Sequence, residues 1–253
     1  RYSVTNVCGW LKVSDIAKIN TRYLYFALTS EWTNKTFDYT HKAHPSVIRV
    51  EYQLALPPLT VQEEIVRILD TFTELEAELE ARTKQYAVTR DRLLAFDGDL
   101  ALHPLASLIA DLCPEGVPTI SLGEVAQYSN TRAEASELDM TNFVGVDNLL
   151  AGKRGRVDSG HVPEKGRVTG YAQGDVLVGN IRPYLKKIWL ASYGGGCSGD
   201  VLAIRVRAEF RAILHPNFLY VILSSDRFFD YDTQHAKGGK MPRGDKAAIL
   251  AYQ

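Results

Sequence analysis

Between Pro58 and Gly98 the chain contains neither glycine nor proline, and its apolar residues return at heptad spacing. One set is Val61, Ile68 and Leu75; the other is Ile65, Phe72, Leu79, Tyr86 and Leu93. Arg82 and Thr89 take the later positions of the first set, so the seam becomes more polar downstream. Pro57-Pro58 stops whatever precedes it. Thr60, with Glu63 three residues on, has the pattern of a capping box, in which each side chain satisfies an orphan N–H at a helix start. The pattern predicts a helix over residues 57–100, roughly 60 Å long at about 1.5 Å per residue. Such a helix cannot bury its stripe against itself, so a coiled coil with a partner helix is expected. A long amphipathic helix lying on its own domain is the plainer alternative.

Charge is distributed unevenly around this helix. The net charge of −1 argues against a uniformly basic nucleic-acid binder. From Thr60 to Asp99 acidic residues outnumber basic ones ten to five, whereas from Ala151 to Leu190 basic residues lead eight to three. A neutral total thus covers an acidic rod and a basic patch. No apolar run approaches the roughly 18–20 residues a bilayer span needs. No charged-then-apolar leader opens the chain, so secretion is not expected. Cys8, Cys113 and Cys197 are odd in number and far apart, which argues against a disulfide framework and for the cytosol. His41 and His44 lie close together but no CxxC accompanies them; a polar loop is expected there, with no metal and no cofactor. The chain opens on Arg1 rather than Met, as expected of either a fragment or a chain without a disordered start.

Residues 101–117 carry Pro104, Pro114 and Gly116 and read as a linker. Strand-like runs follow at Thr119–Leu122, Asn142–Val146, Asp175–Val178, Lys187–Ala191 and Val201–Val206, separated by turn residues. Pro216 to Phe229 reads as a helix. The expected class is α+β: a mixed-sheet domain over 118–253 joined to a long coiled-coil-forming helix. Residues 1–56 echo the end of that domain. Tyr23-Leu24-Tyr25-Phe26-Ala27-Leu28-Thr29-Ser30 matches Phe218-Leu219-Tyr220-Val221-Ile222-Leu223-Ser224-Ser225, and Asp38–His41 resembles Tyr231–His235, at a distance of about 195 residues. The plan this suggests is domain, helix, domain, helix, with the front of the first domain and the second helix outside this chain.

Several of these segments resemble the specificity subunits of type I restriction–modification enzymes. Pro57-Pro58-Leu59-Thr60-Val61-Gln62-Glu63-Glu64-Ile65-Val66-Arg67-Ile68-Leu69-Asp70 looks like the central-region signature of that family, as do Arg82–Tyr86 and Arg90–Leu94. Leu112–Val117 running into Leu122–Val125 is typical of the lead-in to a target-recognition domain, and Gly174–Val178 through Ile181–Lys187 matches the interior of one. The resemblance implies that 1–56 is the C-terminal part of a first target-recognition domain, 57–100 the central helix and 118–253 a second such domain. In that family each recognition domain reads one half of a split site on double-stranded DNA. Two antiparallel helices space the halves and dock the methyltransferase subunits, which carry S-adenosylmethionine and methylate adenine; nuclease subunits join later. With one helix in this chain, a second copy or a partner would supply the other.

The residues themselves offer the chemistry of a DNA face, which needs cations for phosphates and forked donors for base edges. Lys153, Arg154 and Arg156 surround glycines. Asn180, Arg182, Tyr184, Lys186 and Lys187 form a second cluster, and Lys237, Lys240 and Arg243 lie in a glycine-rich basic loop. Lys186, Lys187, Lys237 and Lys240 suit phosphates, whereas Asn180, Arg182 and Arg243 suit base edges. Arg182 has a competing role, tied to an internal carboxylate such as Asp175. Any one cluster alone would read as a solvated surface; three in one domain favour a binding face. Catalysis is not expected: no Asp/Asn-Pro-Pro-aromatic tetrad or GxxxxGK[ST] loop is present. Gly194–Asp200 reads as a glycine-rich turn rather than a nucleophile site. The alternative function is a non-catalytic coiled-coil scaffold without specific DNA binding.

Overall fold

A computed structural model describes residues 11–34 and 53–253. Cys8, the His41/His44 pair and the Asp38–His41 half of the internal repeat lie outside the described residues. The chain divides into two compact units, residues 1–86 and 87–253.

In the first unit a turn at Asp15–Ile19 leads into helix α1 (Thr21–Asn34). Asn20 caps it: its Oδ1 accepts from the N–H groups of Arg22 and Tyr23. Residues 53–58 lead into α2 (Leu59–Leu93), which continues past Tyr86 into the second unit. The Pro58 carbonyl accepts from the N–H groups of Val61 and Gln62, so α2 starts before Thr60, which lies inside the first turn and not at its cap. Four-residue ion pairs, Glu78–Arg82 and Glu80–Lys84, line its exposed surface. At 35 residues α2 is shorter than the predicted 57–100. His103 accounts for the difference. Its Nδ1 accepts from the Leu105 N–H, which leaves Nε2 to donate to the Leu93 carbonyl at 3.3 Å, and its ring stacks on Phe96. The folded-back segment thereby closes the helix C-terminus.

The second unit is α+β, with two four-stranded sheets. One has the order β1 (Ala126–Tyr128), β8 (Val201–Val206), β5 (Val176–Gly179), β6 (Ile188–Leu190), all antiparallel. The other runs β2 (Arg132–Glu134), β4 (Arg167–Tyr171), β7 (Gly195–Cys197), β3 (Phe143–Val144), with β3 and β7 parallel. Period-two alternation divides the core. Val176, Val178, Leu202, Ile204 and Val206 face a cluster with Leu219, Leu223, Phe228 and Phe229 from the helical layer. Leu177, Val201 and Ala203 face the other way, onto Val144, Tyr171 and Cys197. β5 is buried on both faces, which is why it reads as an unbroken apolar run. Each fully buried aliphatic or aromatic side chain here contributes about 1.5–3 kcal/mol.

Three local expectations differ from the structure. Thr119–Leu122 forms no strand; Ser121 and Glu124 form a capping box that opens the short helix Leu122–Val125 instead. Pro216–Phe229 is two helices, because the Ser225 hydroxyl accepts from the Phe228 N–H and starts a new one. Finally, the Gly194–Asp200 region is not a turn between strands; Gly195–Cys197 is itself an inner strand. A Cβ at Gly195 would overlap the Asn142 carbonyl oxygen, and one at Gly196 would meet Val168 and Leu138 within 2.8 Å.

Candidate nucleic-acid interface

The three basic segments, remote in sequence, are joined by backbone hydrogen bonds around the β5–β6 connection. That connection turns through a 3₁₀ segment, Pro183–Leu185, with Arg182 and Lys186 both left-handed (φ 54° and 51°). On one side the Gly152 and Lys153 N–H groups donate to the carbonyls of Leu185 and Lys186 at 2.9 and 2.8 Å. On the other the Arg182 N–H donates to the Pro242 carbonyl and the Gly244 N–H to the Asn180 carbonyl. Ile181 and Lys237 each bridge Arg243. Residues 152–156, 180–187 and 237–244 therefore form one continuous surface.

Acidic residues organise that surface. Asp226, the first residue of helix α6 (Asp226–His235), receives Lys153 at 2.7 Å, Lys186 at 2.6 Å and Arg90 of α2 at 3.4 Å. Its position in the first helical turn also favours negative charge. Burial raises the pKa of this carboxyl, but the two lysine hydrogen bonds outweigh that and hold it well below the usual carboxylate range. Lys237 pairs with Asp245, Arg243 with Asp200 and Arg156 with Asp158. Arg156 also lies over the rings of Trp189 and Tyr193. The Lys187 ammonium donates to the Val146 carbonyl.

The cations predicted from sequence thus fall into two groups. Arg154, Tyr184, Lys237, Lys240 and Arg243 are exposed, and Lys240 forms no ion pair or hydrogen bond with the described residues. Lys153, Arg156, Lys186 and Lys187 are partly covered and internally bonded. Asn180 is buried, and the Arg182 Nε is enclosed without a hydrogen-bond partner among the described residues. Asp175, a candidate partner for Arg182, binds Arg205 instead through two hydrogen bonds of 2.8 and 2.7 Å. Beneath the basic loop, Gly244 is required: a Cβ there would collide with the Asp232 carboxylate and approach Asn180 Oδ1 to 2.9 Å. Burial pushes the Asp232 carboxyl up to about 6, against a smaller opposing effect of His235. Sequence reasoning missed Asp226 and Asp200, whose roles come from tertiary placement.

The Cys197 thiol is fully buried, and burial pushes it up to about 12. Among the described residues no cluster of three His, Cys, Asp or Glu could hold a metal ion, and no helix is long and apolar enough to cross a membrane.

The chain is similar to known proteins over parts of its length. Residues 1–89 match the model of the type I restriction modification DNA specificity domain. A type I specificity subunit of Mycoplasma pneumoniae is 62% identical over 47 residues, which are 19% of this chain and 19% of that protein. A second from the same organism is 41% identical over 114 residues, covering 37% of this chain and 33% of the relative. The crystal structure of a type I restriction–modification S subunit from M. genitalium superposes with a TM-score of 0.51 at 15% identity, over 87% of this chain and 56% of that one, a likeness of fold. The matches thus span 19% and 33% of those two curated relatives. In its first 89 residues the chain is similar to the type I restriction modification DNA specificity domain, and it shares an α+β fold with a solved S subunit.

Proposed function

We propose that the chain recognises a DNA sequence as a non-catalytic part of a type I restriction–modification complex. The observation that carries this reading is the joining of three basic segments into one surface by direct backbone hydrogen bonds. In this reading residues 1–56 end one target-recognition domain and 118–253 form another, with α2 between them. α2 spaces the two domains and docks the methyltransferase subunits; restriction subunits join the full complex. Exposed Lys237 and Lys240 contact phosphates, together with Arg154. Arg243, oriented by Asp200, reads a base edge, and the exposed Tyr184 ring contacts the duplex. Lys153, Lys186 and Lys187 add positive potential while bracing the loops. Asn180 and Arg182 act from below, holding the loop through their backbone groups.

Selection from a pool of randomised duplexes tests this. The chain should enrich one short motif, and Arg243→Ala should cost about 1–3 kcal/mol on that motif and much less on random DNA. With labelled S-adenosylmethionine the pure chain should transfer no methyl group. A pool that stays random after repeated selection would favour the scaffold alternative.

A further inference from the structure

The glycine-rich basic loop is a finger whose root is held on both sides. Lys237 and Arg243 exchange two N–H···O bonds of 2.8 Å each, which close a tip of residues 238–242. Each of these two root residues is also paired with an acid, Lys237 with Asp245 and Arg243 with Asp200. The Pro242 carbonyl accepts from the Arg182 N–H at 2.8 Å, and the Gly244 N–H donates to the Asn180 carbonyl at 3.1 Å. Gly238 turns the chain at φ 101°, and a Cβ there would lie 3.6 Å from the Met241 carbonyl oxygen across the tip.

The tip of this finger carries an apolar side chain among cations. Met241 is 48% exposed and belongs to neither core cluster. Its neighbours in the finger are Lys237, Lys240 and Arg243, all exposed. Pro242 follows it, and a residue before proline is steered to extended backbone, so the direction in which the side chain leaves the finger is restricted. A single exposed apolar residue on a loose loop would be ordinary. Here it stands at the end of a braced element, on the surface where the basic segments meet. An unbranched thioether is narrow enough to enter between stacked bases, and its sulfur is attracted to aromatic rings.

We propose that Met241 is a wedge: with the finger's cations on the phosphates, its side chain enters between two adjacent base pairs, unstacks them and bends the duplex at that step. The proposal rests on the DNA-recognition reading above and adds deformation of the duplex to it. The stacking of the opened step opposes insertion, least at flexible pyrimidine–purine steps such as TA and CA. Met241 thereby makes the chain sensitive to a base step with which it forms no hydrogen bond. Arg243, two residues further on, reads a base edge beside the opened step.

Duplexes carrying the motif that the chain enriches, with 2-aminopurine at successive purine positions, test the wedge. Anisotropy of a terminal dye reports binding, and 2-aminopurine fluorescence reports unstacking. At saturation with the full chain, fluorescence should rise severalfold at one step and stay flat elsewhere. Met241→Ser should abolish the rise while salt-dependent binding persists, with affinity for the motif about tenfold lower, the scale of one mismatched base pair. Met241→Leu keeps an apolar side chain and should keep the rise. Met241 is exposed, so both variants should retain the fold. Saturated anisotropy with flat fluorescence at every position, or a rise that survives Met241→Ser, would overturn the wedge and leave the DNA face standing. No saturable anisotropy on any duplex would overturn both.

Discussion

Replacing Asp175 with alanine should destabilise the second unit by about 3–5 kcal/mol, because it leaves the Arg205 guanidinium partly buried without its counter-charge. Asp175 is 2% exposed, joins the start of β5 to β8, and accepts a further hydrogen bond from the Ala172 N–H. The hydrogen bond to Asp175 raises the Arg205 pKa, with burial acting against it, so the guanidinium stays charged across ordinary pH. Urea unfolding should show the midpoint falling by roughly 1–5 M at urea sensitivities of about 1–3 kcal/mol per M. Faster hydrogen exchange in β5 and β8 would place the loss in the second unit. Replacing both partners, Asp175→Leu with Arg205→Met, should recover most of the stability, since a well-packed apolar pair replaces an ion pair at little net cost. A small effect of Asp175→Ala would mean that water solvates the Arg205 head, contrary to the structure.

The second large effect is expected in assembly. Along α2 the residues Val61, Ile68, Phe72, Leu75 and Leu79 are all exposed, Phe72 at 60%. A helix of 35 residues presents this seam over about 52 Å at roughly 1.5 Å per residue. Such a row in water favours a partner helix, antiparallel in the proposed assembly. Ile65→Asp with Phe72→Asp would place carboxylates in that seam, each costing several kcal/mol to bury unpaired. Sedimentation should therefore show the unmodified chain associating and the double variant as a monomer. A compact monomer for the unmodified chain would contradict the pairing.

How much of this was legible in the sequence follows from where each signal resides. α2 was legible because Pro57-Pro58 and the heptad stripe are local. Its end was not, because His103 closes it from ten residues away. β5, β6 and β8 were legible as apolar runs. β7 was hidden, since Gly195 and Gly196 mark close approach inside a sheet yet look like turn residues in one dimension. The break at Ser224-Ser225 did carry a local signal, a serine three residues before Phe228, which the apolar periodicity masked. For the site, the clusters of cations were visible, but their restraints were not. Asp226 lies 40 residues from Lys186 and 73 from Lys153, and no local pattern links them.

The central claim, that the joined basic segments form the DNA face, is tested most directly by the salt dependence of binding. Fluorescence anisotropy on one duplex at several salt concentrations gives the slope of log K against log salt, about 0.9 per phosphate contact on B-form DNA. Lys240→Ala and Arg154→Ala should each flatten that slope by about one contact, on specific and random duplexes alike. Asp226→Asn, which frees Lys153 and Lys186, should steepen it. A slope unchanged in all three variants would contradict the account and put the DNA on another surface.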